Sequence, residues 1–264
     1  MVVGCWWLGQ QATSHQQPAQ SYPLLGWAKN VAYNSLMTIS LLNFIWLLVG
    51  LLAGVAVNWL ADYLPAGARP SWTTWGWRQR KRPYLVLAGT AVLFFCLPLW
   101  ITETVNLVVN SLYIAILILI IVTDLEHRLI FNAVVYPAML LALAGSFLVT
   151  ADENNIRLAL AGGVVGLVVF GALYGLANVM YGRERIPLGM GDVKLAVLLG
   201  LMLGWHRIWF CLFWAVMLGG AITLLLLLTR RVGRDTALPY GQYLALSGIA
   251  FLIWGAEYAQ QFVN

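Results

Sequence analysis

Apolar residues run along this chain in long unbroken blocks, at 38–60, 84–101, 104–123, 132–150, 157–180, 186–205, 207–229 and 241–258. Each is near the ~20 residues that a helix needs to cross a hydrocarbon core. The blocks are continuous, whereas the strands of a membrane barrel alternate apolar and polar positions. The pattern predicts an all-α polytopic membrane protein with about eight transmembrane helices. Polar residues collect between the blocks. The longest such interruption, "ADYLPAGARPSWTTWGWRQRKRP" at 61–83, is broken by Pro65, Gly67, Pro70 and Pro83. Residues 1–37 are polar and aromatic, carry no charge before Lys29 and lack the basic start of a secretory signal. They are expected to form an outer-face tail ahead of a polytopic domain over 38–264.

Composition agrees with the pattern. The chain is 61% hydrophobic and only 9% charged, with a mean hydropathy of +0.81. A soluble domain carries about a quarter charged residues, so that class is excluded. With the N-terminus outside and the spans alternating, the inner segments are 61–83, 124–131, 181–194 and 230–240. They hold Arg69, Arg78, Arg80, Lys81, Arg82, Arg128, Arg183, Arg185, Lys194, Arg230, Arg231 and Arg234, which is 12 of the 15 basic residues. Basic residues concentrate in cytoplasmic loops, so this charge distribution fixes the expected orientation. It also accounts for the net charge of +5, and no nucleic-acid partner is expected. Trp72, Trp75 and Trp77 beside the basic run 78–82 suit a segment lying on anionic membrane lipid. Cys5, Cys96 and Cys211 show no metal-pair spacing, and no metal is expected.

Acidic residues then separate into two kinds. Asp62, Glu103, Asp152, Glu153, Asp235 and Glu257 fall in loops or near span ends, and Glu184 lies in the basic "GRERIP" loop. Asp124 and Asp192 instead sit against apolar runs, at the cytoplasmic ends of their spans in the derived topology. Charge at membrane depth is costly and marks function, although one aspartate at a span end is more often a simple cap. Two in the same leaflet can meet. Paired carboxyls share a proton because both cannot ionise comfortably at close range. The ionised member can then take a proton from water while the protonated one donates to a carbonyl. Gly189 and Gly191, without Cβ, let the chain before Asp192 leave helical geometry and expose backbone to a substrate strand. Lys194 is expected to be a snorkelling anchor on a different face from Asp192. "GLMLG" at Gly200 to Gly204 is a small-xxx-small pattern for close helix packing.

"DLEHRLIFN" (Asp124 to Asn132) and "GMGDVKLAVLLGLMLG" (Gly189 to Gly204) resemble the two catalytic motifs of type IV prepilin leader peptidases, a branch of the GxGD intramembrane aspartic proteases. "GVAVNWLADYLP" (Gly54 to Pro65) resembles the family's first-helix signature, and "LPYGQYLALSG" (Leu238 to Gly248) its last-helix segment. The resemblance spans roughly 40–258, and it implies a GxGD aspartyl protease fold with Asp124 and Asp192 as the catalytic pair and Gly189 and Gly191 as the motif glycines. It further implies a prepilin or pseudopilin substrate, cut after a glycine between a short basic leader and an apolar helix, at the cytoplasmic face of the bacterial inner membrane. Glu126 and Glu184 are candidate contacts for that leader. Many relatives carry two CxxC pairs that bind zinc in the first cytoplasmic loop. Residues 61–83 contain no cysteine, so no zinc is expected there. This departure puts S-adenosylmethionine-dependent N-methylation of the new terminus in doubt without removing it. "IFN" at Ile130 to Asn132 stands where relatives often have IPN, which is expected to relax the turn after Asp124.

Two other classes compete with a peptidase. A proton- or ion-coupled transporter would use the same aspartates as a relay, but no inverted repeat is evident. An inactive homologue would bind pilin precursors for assembly. Loss of peptide cleavage in either Asp→Asn variant separates the peptidase from both.

Overall fold

The computed structural model describes residues 40–66, 81–148, 155–181, 189–229 and 240–263. The expected tail 1–37 and most of the basic loop 61–83 lie outside them. Seven helical elements order the described chain: α1 (Leu41–Ala66), α2 (Arg82–Trp100), α3 (Thr104–His127), α4 (Asn132–Gly145), α5 (Ile156–Tyr181), α6 (Met190–Leu228) and α7 (Gly241–Val263). Among the described residues all regular structure is helical. Five of these helices, α1, α2, α3, α5 and α6, are long and apolar enough to cross a membrane, while Asn132–Gly145 and Gly241–Gly255 are apolar but shorter. The chain is a multi-pass membrane protein.

The described parts of the runs 186–205 and 207–229 form α6, which is two helical legs joined at a kink. α6 breaks at Gly204, whose φ of 72° and ψ of 179° leave the helical region. That backbone is open to glycine and strained for any residue with a Cβ. The first leg is buried all round, with Leu195, Ala196, Leu198, Leu199, Met202 and Leu203 in the core. α3 is buried on one face through Leu107, Ile114, Leu117, Leu119 and Ile120, while Val105, Val108, Leu112 and Leu125 stay exposed. Helices apolar on every face belong inside a bundle, and buried residues of these two form its core. α5 closes on the first leg of α6 through glycine. A Cβ at Gly200 would land on the Gly162 carbonyl, and one at Gly162 on the Gly200 carbonyl. The close contact expected of "GLMLG" is therefore made, with α5 as partner.

α1 reaches further than its hydropathy suggests. The segment 61–66, expected to be loop, continues the helix. Gly54, Asn58 and Asp62 recur every four residues and so share one face, and that face meets the first turns of α2. A Cβ at Gly54 would strike the Thr90 hydroxyl. The Asn58 amide donates to the Gly54 carbonyl at 2.9 Å and to the Pro83 carbonyl at 3.4 Å. Asp62 takes a 2.7 Å ion pair from Arg82.

Candidate active site

Asp124 lies in the last turn of α3 and Asp192 in the first turn of α6, and both side chains are buried, in residues 4% and 8% exposed. They occupy the ends of the two central helical segments. Each carboxylate is fixed by one backbone amide, through a different route. Gly189 N–H donates to Asp192 Oδ2 at 3.0 Å, and Asp192 N–H donates to the Gly189 carbonyl at 3.1 Å. The reciprocal pair resembles a capping box, closing the start of α6 with its own third residue. Asp124 instead accepts from Gln242 N–H at 3.0 Å, 118 positions away, at the start of α7. A helix N-terminus offers free N–H groups and a favourable field for an anion.

The same end of the bundle gathers the turn between α3 and α4. Arg128 ends α3 in the left-handed region (φ 53°, ψ 34°), with its N–H on the Asp124 carbonyl at 2.9 Å. The turn then brings Ile130 against both neighbouring helix starts. A Cβ on Gly191 would lie 3.0 Å from Ile130 Cβ, and one on Gly241 would lie 3.0 Å from both Ile130 Cδ1 and Asp124 Oδ2. Asp124 and Asp192 are near enough for their charges to interact. Tyr240, the residue before α7, is half-buried beside them. Burial, the charge of Asp192 and neighbouring Tyr243 together hold its phenol above the ordinary tyrosine range.

Several expectations change here. Gly191 lies within the first turn of α6, so the chain immediately before Asp192 is helical there rather than extended. The cause is the cap that Asp192 forms with Gly189. Lys194, expected to be a snorkelling anchor, has protein partners on α4. Its Nζ bonds Asn132 Oδ1 at 2.8 Å and sits 5.3 Å from the centre of the Tyr136 ring, tying α6 to α4. Glu126 already has a partner: Arg82 Nη1 reaches its two oxygens at 2.8 and 2.6 Å, while Arg82 Nη2 holds Asp62. A basic leader would have to compete with Arg82 for that carboxylate. Glu184 lies outside the described residues. Phe131 keeps a φ of −75°, a value proline also takes, so its backbone φ has not left the proline range.

Ile130, Gly241 and Gln242 carry no role in the sequence pattern, and Arg82 reads there only as part of the basic run 78–82. The last-helix resemblance at "LPYGQ" was the signal for two of them, whereas a backbone N–H leaves no mark in a side-chain pattern. An apolar groove of about 760 Å³, lined by neither aspartate, runs between α2, α3, the second leg of α6 and α7. Its walls include Leu85, Val122, Leu125, Leu246, Phe251 and Trp254. Val122 and Leu125 bracket Asp124 on α3.

With this geometry in view, similarity to known proteins falls on the same segment. Residues 111–224, which carry both aspartates, match the model of the type IV leader peptidase family. The chain is 29% identical over 142 residues to a prepilin leader peptidase/N-methyltransferase of Stutzerimonas stutzeri, covering 53% of this chain and 47% of that protein. It is 33% identical over 138 residues to the protein of the same name from Pseudomonas putida, covering 51% and 45%. For the one from Legionella pneumophila the figures are 30% over 154 residues, 58% and 52%. The chain thus spans about half the length of these curated relatives. No solved structure matches it. The resemblance carried by the two aspartate motifs is to the type IV leader peptidase family.

Proposed function

We propose that this chain is an intramembrane aspartic endopeptidase that removes the basic leader from prepilins or pseudopilins at the cytoplasmic face of the bacterial inner membrane. The observation that carries the reading is the convergence of two buried aspartates from two central helices at one end of the bundle. The family match over 111–224 supplies the substrate class.

In this mechanism the pair holds one proton between two carboxyl groups. Each aspartate already uses Oδ2 to accept a backbone N–H, which leaves Oδ1 for water and substrate. The ionised member takes a proton from water, and the oxygen attacks the scissile carbonyl carbon. The protonated member gives its proton to the carbonyl oxygen, forming a gem-diol without a covalent enzyme intermediate. Collapse of the diol breaks the C–N bond, and the released amine takes up a proton. The apolar groove between α2, α3 and α7 suits an apolar helical segment of a substrate. The basic residues of the inner segments support a site facing the cytoplasm, by the topology rule that places them there.

The test is cleavage of a prepilin-like substrate by purified protein in lipid, read by mass. Loss of the leader after the glycine is the expected result. No mass change across several candidate prepilins would overturn the reading, and proton uptake without cleavage would favour a transporter. Adding S-adenosylmethionine to the same reaction decides methylation: a further gain of one methyl group would add that activity.

A further inference from the structure

We propose that Ile130 is a positioning residue that sets the spacing of Asp124 and Asp192 by wedging between Gly191 and Gly241. The inference rests on the peptidase reading and deepens it. Ile130 belongs to the short turn between α3 and α4, six residues after Asp124. Its side chain meets two glycines, each directly before a residue that defines one carboxylate. Gly191 precedes Asp192. Gly241 precedes Gln242, whose N–H holds Asp124. Both contacts are tight for a methyl group, so that Ile130 would have to give by a few tenths of an ångström: a Cβ on Gly191 would lie at 3.0, 3.3 and 3.4 Å from Ile130 Cβ, Cδ1 and Cγ1. A Cβ on Gly241 would lie at 3.0 Å from Ile130 Cδ1.

One aliphatic side chain therefore touches the start of α6, the start of α7 and, through its own turn, the end of α3. Close-packed interiors transmit small displacements rather than absorbing them. The three atoms nearest a methyl added at Gly191 all belong to Ile130, whose Cδ1 also faces Gly241 beside the Asp124 carboxylate, so a shift of Ile130 is felt at both helix starts. On this view the glycine before Asp192 is small because the chain must approach Ile130 there, and not because its backbone must be extended.

The experiment is a double-mutant cycle in purified, lipid-reconstituted protein with Gly191→Ala, Ile130→Ala and the pair. Thermal unfolding is measured alongside kcat and KM for leader removal. Gly191→Ala should lower kcat by about 10- to 100-fold, the scale for sub-ångström misplacement of reacting groups, with KM within about twofold since uniform binding is untouched. Ile130→Ala should lower kcat by about 10-fold, and the double variant should recover to the level of Ile130→Ala alone. Losses that simply multiply would overturn the proposal, as would an Ile130→Ala variant with wild-type kcat. If Gly191→Ala fails to fold, Ile130→Ala and Ile130→Val decide the matter: a graded fall in kcat at constant KM upholds it, and a fall only in folded yield overturns it. A wild type that cleaves nothing overturns the peptidase reading itself, and with it the positioning role. A wild type that cleaves while the cycle is additive overturns the Ile130 proposal alone.

Discussion

Asp192 and Asp124 are held in opposite ways. Asp192 is secured locally, by a backbone N–H three residues before it in the same helix start. Asp124 is secured across the fold, by the first turn of a helix 118 positions further on. A local cap forms whenever its helix forms. A bond between distant helix ends exists only once the bundle has closed. One half of the pair thus needs only its own helix start. The other half depends on correct docking of α7, so the complete site can exist only in the assembled molecule.

Among substitutions that leave both carboxyl groups in place, the largest predicted effect breaks the distant seat. Gly241→Ala puts a methyl 3.0 Å from Asp124 Oδ2 and Ile130 Cδ1, and should lower kcat by about 100-fold. Gly189→Ala is the local counterpart. Its methyl would meet Asp192 Oδ2 at an ordinary 3.4 Å, so kcat should stay within about threefold of wild type. Steady-state kinetics on both variants checks the contrast, and equal losses would erase it. Gln242→Pro is the next test. Proline is tolerated in a first helical turn, but this one deletes the N–H that Asp124 accepts. A loss of about 1–3 kcal/mol is expected, seen in thermal unfolding together with a fall in kcat. Arg82→Gln should cost about 1–2 kcal/mol, because Glu126 and Asp62 lose their shared cation in a half-shielded setting. Restoring the cluster's original net charge with Glu126→Gln in the same chain should recover part of that stability. The smallest effect is expected for Phe131→Pro. The φ of −75° is already suited to proline, so unfolding should shift by less than about 1 kcal/mol, toward greater stability.

Much of the helical layout was legible because lipid demands continuous apolar runs. The block 157–180 became Ile156–Tyr181 and 104–123 became Thr104–His127. Charge partners were the part the sequence hid. Asp62 looked like the end of a span, yet α1 continues past it because Arg82, 20 residues on, holds its carboxylate. Glu126 looked free for a substrate leader, yet the same arginine holds it. A hydropathy profile sees the cost of each charge and not the partner that offsets it. The two aspartates were legible through their motifs. Their seats were less so. Gly189 and Gly191 were visible as glycines, but their different tasks, one supplying an N–H and the other making room for Ile130, follow only from the packing. The N–H of Gln242 was invisible, since every residue except proline carries one.

The central claim is that Asp124 and Asp192 act as one catalytic pair, and the most direct measurement compares leader removal by wild type, Asp124→Asn and Asp192→Asn. All three proteins should be purified in lipid and shown to be folded by thermal unfolding, with product mass as the readout. Asparagine keeps the shape of the side chain and an oxygen for the backbone N–H while ending proton transfer. The account predicts cleavage by wild type and none above background by either folded variant. Leader removal by either asparagine variant at a substantial fraction of the wild-type rate would contradict it.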